Sequence, residues 1–361
     1  MPQGRGAQRR CAEVDGSDIA SSTILTPMIP RSWILRSAAF LAVTPGICCP
    51  IHSQEQNSRE ESTPPASPVQ SLGLTEVQSI QLQHAVETRD YLTAEKLLLS
   101  EINKDPHSLR GARLLDYIGS VYFLNADYIN AAIAWKKSAA ITPLEPALQF
   151  SLAMAYIRIS HSDWARSVLQ SLAAANPKEG LYPYWLGRLN YDGHDYPGAI
   201  KYFQHAIELS PEMARSYDNL GLCYYYQNEN DLAIVNYRKA IELDKGAPHP
   251  SPWPYLNLAI TLQFLDRYDE AEKNLREALR LAPEFKQAHL QLGLALEQEG
   301  RLEEAVAELR EAARIDANYP EPHMAMARIF HKLGQEDAAH AEVRIYIKLH
   351  PPTTPKQTAD Q

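Results

Sequence analysis

Residues 219–243 read NLGLCYYYQNENDLAIVNYRKAIEL, two apolar blocks at helical spacing separated by a polar turn, QNEN. Leu220, Gly221 and Tyr224 mark the first block, and Ala233, Tyr237 and Ala240 mark the second. The segment reads as two helices folded back on each other, with Gly221 and Ala233 small enough to let them approach closely. Three consecutive tyrosines, Tyr224, Tyr225 and Tyr226, close the first block. They cannot share one face, because successive residues of a helix point about 100° apart.

Working outward, the pattern repeats. Ala131, Ala165, Ala199 and Ala233 are each 34 residues apart, and after a step of 38 the spacing resumes at Ala271, Ala305 and Ala339. Twelve residues before each lies another small residue: Gly119, Ala153, Gly187, Gly221, Ala259, Gly293 and Ala327. Twelve after, proline ends the unit at Pro143, Pro177, Pro211, Pro283 and Pro351, with Lys245 and Ala317 as the exceptions. A fixed period of this length signals stacked supersecondary units, and proline stops the second helix of each. The expectation is an all-α solenoid of antiparallel helix pairs.

These residues resemble the tetratricopeptide repeat family. Its pattern of Leu-Gly, a tyrosine, an alanine, an aromatic, a second alanine and a proline is met by Leu220-Gly221, Tyr224, Ala233, Tyr237 and Ala240 in repeat 214–247. Repeat 180–213 supplies Leu186-Gly187, Ala199, Phe203, Ala206 and Pro211. The other repeats fall at 112–145, 146–179, 252–285, 286–319 and 320–353. A degenerate one, at about 74–108, keeps Tyr91, Ala94 and Pro106 but carries Leu82 in the glycine position. The resemblance implies a right-handed superhelix of about eight repeats over 73–353. The related pentatricopeptide arrays have a period of 35 and a basic face, and this chain has neither.

It also implies a concave face built from the first helices, which binds a protein or peptide. Carried over, that face holds Arg158, Tyr184, Arg188, Tyr191, Arg215, Tyr225, Tyr226 and Phe264, with Tyr224 turned into the core. Tyrosine and arginine often dominate binding energy between proteins. Asn219, Asn257 and Gln291 occupy one inner position in three successive repeats. They resemble the asparagine ladder of O-GlcNAc transferase, where amides grip a peptide backbone as donor and acceptor. The Lys/Asn pairs of the family's chaperone-binding clamp are missing, with Asp218/Leu222 and Tyr184/Arg188 in those places. Segment 245–254, KGAPHPSPWP, is expected as a long exposed loop, with Trp253 either an anchor for a partner or packed on the next helix.

The formal net charge of −9 excludes a basic nucleic-acid-binding surface. Of four cysteines only Cys223 lies in the repeats, so neither a disulfide framework nor a zinc site is expected. His289 and His323 read as packing residues. No hydrolase, metalloprotease or phosphate-loop motif occurs, and the chain is read as non-catalytic, with no cofactor and no metal. Ahead of the repeats, Arg31 and Arg36 precede an apolar run at 38–49. The run is too short for a membrane span, which takes about 20 residues, and fits an export signal. The expected order is therefore a non-native or disordered extension at 1–27, an export signal at 28–50, a flexible linker at 51–72, the repeats, and a disordered tail at 354–361. The implied location is exported, periplasmic, envelope-associated or secreted, with a cytoplasmic protein as the alternative. The last helix carries Val343, Tyr346 and Ile347 at core-like spacing with nothing after it to cover them. This suggests the alternative reading, a structural or assembly element that self-associates through its terminal repeats.

Overall fold

The protein's structure, a computed structural model, describes residues 69–350. Among the described residues there are sixteen α-helices and no strand. They form eight antiparallel hairpins: α1 Glu76–Glu87 with α2 Tyr91–Ile102, α3 Leu109–Leu124 with α4 Tyr128–Ala139, α5 Pro146–Arg158 with α6 Ser162–Ala175, and α7 Leu181–Asp192 with α8 Tyr196–Leu209. Then follow α9 Ala214–Tyr226 with α10 Asn230–Asp244, α11 Trp253–Phe264 with α12 Tyr268–Leu281, α13 Lys286–Gln298 with α14 Leu302–Ile315, and α15 Glu321–Lys332 with α16 Glu336–Leu349. Each second helix packs on the first helix of the next hairpin, and the first helices α7, α9, α11, α13 and α15 also touch in sequence. The all-α solenoid expected from the 34-residue period is the architecture observed.

Every hairpin closes in the same way. In the α9–α10 turn Asn228 adopts φ +60°, and the Glu229 amide donates back to the Tyr224 carbonyl at 2.9 Å. The Asn228 amide donates to the Tyr225 carbonyl at 3.0 Å. This is the helix-ending arrangement that satisfies carbonyls left open by the last turn. The left-handed residue recurs at Arg89, Ala126, Ser160, His194, Asp266, Gly300 and Gly334. Only the last two are glycine, so six of the turns hold a side chain where the backbone disfavours one.

Between the helices, the small residue of the first faces a large residue of the second. A Cβ on Gly221 would lie 2.6 Å from the Tyr237 ring, and one on Gly119 would lie 2.5 Å from the Trp135 indole nitrogen. Tyr237 and Trp135 are both fully buried. The glycine is thus the seat of an aromatic ring, and the alanine twelve residues on is a second buried contact.

Several boundaries differ from the expectation. Val69–Leu72 form a 3-10 turn with Leu72 fully buried, and the Arg110 guanidinium donates to the Leu72 and Gly73 carbonyls at 3.1 Å each. The linker expected at 51–72 therefore does not extend through its last four residues, because burial and these bonds fix them. Helix α3 begins at Leu109, three residues ahead of the repeat boundary at 112, and the Ser108 hydroxyl caps it by accepting from the Gly111 amide at 2.9 Å. The expected loop at 245–254 is shorter: α11 starts at Trp253, because proline is well suited to a first helical turn. Tyr224 is half-buried, not core. Its hydroxyl accepts from Gln204 at 3.2 Å, while Cys223 takes the fully buried position. The expected extension, export signal, most of the linker (51–68) and tail lie outside the described residues.

Candidate partner-binding surface of the central repeats

Helices α7, α9 and α11 carry most of the residues expected to meet a partner, and the packing divides them into three groups. Tyr184, Asn219, Asn257 and Gln291 are buried, at 6%, 1%, 3% and 8% exposure. They are corrected from contact residues to interior ones. Neighbouring first helices meet along this line, so the positions face a seam. The amide of Asn219 donates to the Arg215 carbonyl one turn back and accepts from Arg188, both at 2.8 Å. Asn257 donates to the Asp218 carboxylate at 2.9 Å, and the Gln291 backbone carbonyl accepts from Gln263 at 2.8 Å. The asparagines thus serve the protein's own groups.

That seam holds a charged cluster inside an otherwise apolar core. Burial pushes the Asp218 carboxyl up to about 7, against the opposing pull of its Asn257 hydrogen bond and the Arg188 charge. Burial also lowers Arg215, to about 10. Its guanidinium lies over the Tyr184 ring, 4.5 Å from the centroid. Burial pushes the neighbouring Cys223 thiol up to about 12, which leaves it a protonated core group rather than a nucleophile.

Above the cluster, under the loop at 245–252, is a cavity of about 670 Å³ lined by Tyr184, Trp185, Arg215, Asp218, His249 and Trp253. Trp253 is half-buried with its ring edge-on to Phe285 at 4.6 Å. It is thus a wall of this cavity and a contact to the next hairpin, not a side chain held out on a loop. The buried Trp185 indole N–H has no acceptor among the described residues.

The third group lies at the turn ends of the first helices and is partly open to solvent. Tyr191 and Tyr226 meet at 5.9 Å, Tyr226 and Tyr225 at 5.6 Å, and Tyr225 and Phe264 at 6.2 Å, all edge to face. Tyr196, the first residue of α8, stacks flat on Tyr226. These five rings form one ridge across three hairpins. Phe264 is 58% and Tyr226 38% exposed, while Tyr191 and Tyr225 are half-buried. Arg188 sits beneath, 5.7 Å from the Tyr191 centroid. Arg158, in the preceding hairpin, lies 5.9 Å from the Tyr128 centroid.

Two contributors escaped the sequence reading. Tyr196 was missed because only first helices were taken to supply contacts, although the second helix starts beside the end of the first. Trp164, the third residue of α6 in the preceding hairpin, is 55% exposed and stacks on His161 at 4.2 Å. A tyrosine or tryptophan in the first turn of a second helix is the signal that would have found both.

Among the described residues no helix is long and apolar enough to cross a membrane, and no group of His, Cys, Asp and Glu is placed to hold a metal ion. His289 and His323 each meet a carboxylate across their hairpin, Glu308 at 2.7 Å and Glu342 at 2.6 Å.

Family models of the tetratricopeptide repeat match residues 182–246, 212–284, 256–320 and 296–352. The chain belongs to the tetratricopeptide repeat family. Over 105 residues this tetratricopeptide repeat protein is 32% identical to a STIP1 homolog of Dictyostelium discoideum, covering 28% of the chain and 17% of that protein. Over 144 residues it is 28% identical to the lipoprotein NlpI homolog of Haemophilus influenzae, covering 40% of the chain and 44% of the relative. It therefore spans less than half the length of these curated relatives. A solved tetratricopeptide repeat protein from Parabacteroides merdae superposes with a TM-score of 0.58 at 15% identity, over 72% of this chain and 99% of that one. At that identity the likeness concerns the fold alone.

Proposed function

We propose that this tetratricopeptide repeat protein is a non-catalytic scaffold whose central repeats hold an extended segment of a partner protein. Support comes from one feature above all, the ridge Tyr191–Tyr226–Tyr225–Phe264, in which Tyr226 and Phe264 are exposed. Large aromatic side chains left in water forgo burial worth about 1.5–3 kcal/mol each, and rigid aromatics of this kind supply hot spots in protein interfaces. The test is a selection of random peptides displayed on phage against the array. Enriched peptides should lose affinity for the Tyr226→Ala, Phe264→Ala double variant. A selection that enriches nothing, or peptides indifferent to the ridge, would sink the proposal.

A second reading, self-association through the last repeat, is favoured by α16, where Ile345 and Ile347 are 40% and 48% exposed. Val343 and Tyr346 are half-buried against the α15–α16 hairpin, so less of the stripe is open than its spacing suggested. Light scattering at high concentration should then show a dimer that Ile345→Glu, Ile347→Glu abolishes, and a monomeric wild type would end the idea. An exported location is supported by the basic and apolar leader sequence and by the likeness to a lipoprotein homolog. Cell fractionation, with the protein found only in the cytosol, would refute it.

A further inference from the structure

The aromatic ridge has an acidic border. Each of the three turns beside it carries an exposed carboxylate: Asp195 between α7 and α8, Glu229 between α9 and α10, and Asp266 between α11 and α12. The nearby cations are held within the protein. Arg188 donates to Asn219 at 2.8 Å and lies 3.6 Å from Asp192, and Arg267 pairs with Glu270 at 2.6 Å. The net charge of −9 adds a favourable long-range field for a basic ligand.

Ring faces attract cations, and arginine's flat guanidinium both stacks on aromatic rings and bonds to carboxylates. Packed helices lie about 8–10 Å apart, which sets the scale of the step from one hairpin's turn to the next. Asp195 and Glu229 hold the same helix-capping place in their turns, and Asp266 stands one position earlier in its own, where Arg267 takes the capping place. An extended left-handed chain rises about 3.1 Å per residue, which puts every third side chain at about the same interval on one side. Ring ladder, turn charges and repeat spacing therefore fit one ligand.

We propose that the ridge and its three turn carboxylates bind an extended cationic segment, with arginine side chains laid on the rings and reaching Asp195, Glu229 and Asp266. This rests on the scaffold proposal and names the partner's chemistry at the same surface. The rings supply contact area, and the carboxylates select charge. A lysine at the same place makes the ionic contact without the flat stacking face, so arginine is preferred.

The experiment is fluorescence anisotropy of a labelled peptide of four Gly-Arg-Pro repeats with the full chain. A citrulline version keeps shape and hydrogen bonding without the charge. The arginine peptide should bind about tenfold or more tighter than the citrulline one, and rising salt should close that gap. Two double variants, Tyr226→Ala, Phe264→Ala and Glu229→Gln, Asp266→Asn, should each weaken it by about tenfold. The second pair replaces exposed carboxylates only and decides the matter if the first disturbs folding. Equal binding of both peptides, no binding, or unchanged affinity of the carboxylate variant would overturn the inference. If phage selection instead enriches ridge-dependent peptides without arginine or lysine, the scaffold proposal stands and this one falls. If selection enriches nothing, the scaffold proposal itself fails.

Discussion

The Tyr226 ring lies parallel to that of Tyr196, with centroids 4.9 Å apart and 2° between their planes. The two residues belong to successive hairpins, so the stack joins repeats as well as presenting a face. Aromatic pairs contribute about 0.5–1.5 kcal/mol beyond burial. Tyr226→Ala should therefore lower stability by about 1 kcal/mol, whereas Tyr237→Ala, which empties a fully buried site, should cost about 3–5 kcal/mol. Urea denaturation of both variants gives the comparison, and equal losses would contradict the assignment of an exposed ridge over a buried core.

Gly221 lies against the Tyr237 ring with no room for a methyl group, since an added Cβ would fall 2.6 Å from it. Gly221→Ala should destabilise the array by about 1–3 kcal/mol, the usual penalty for overpacking. Because alanine is the better helix former, a gain in stability would show that the two helices part easily.

The hairpin turns invite the opposite change. Ala126 is exposed and sits at φ +58°, where a side chain costs about 1–2 kcal/mol and glycine costs little. Ala126→Gly should raise the urea midpoint, by about 1 kcal/mol of stability. A lower midpoint would mean that unfolded-chain entropy outweighs relief of the backbone.

Asp218 sets a pH dependence. Its folded carboxyl, held near 7 by burial, keeps its proton better than an unfolded aspartate at about 3.9. The folded state then binds more protons across that window. The group's contribution is full below about 3.9 and is lost as pH rises through about 7. Carbon-13 titration of the Asp218 carboxyl should show the raised midpoint. Asp218→Asn should flatten the fall in stability between about pH 4 and about pH 7. An Asp218 that titrates near 4 would contradict its burial.

Some of this was legible from residues alone because repetition multiplies a weak local signal. One Gly221–Ala233 pair says little, but the same pair returning every 34 residues has no reading other than stacked helix hairpins. Trp253 and Tyr224 mark the limit. Both stood at positions whose neighbours along the chain were known, yet their burial depended on Phe285 and Gln204, residues of adjacent hairpins. The charged seam was similarly hidden: Asp218 and Asn257 are 39 positions apart, and nothing in either one's local sequence announces the hydrogen bond between them.

The amino-acid order by itself determined the helices and their pairing into hairpins, because helical periodicity and proline stops act over a few residues. Which inner-face side chains remain in water was decided only by the tertiary structure. Exposure depends on how closely neighbouring first helices approach, and that distance is set by contacts between repeats. So Asn219 and Asn257 were drawn into the seam, while Tyr226 and Phe264, one turn or more further along their helices, were left on the rim.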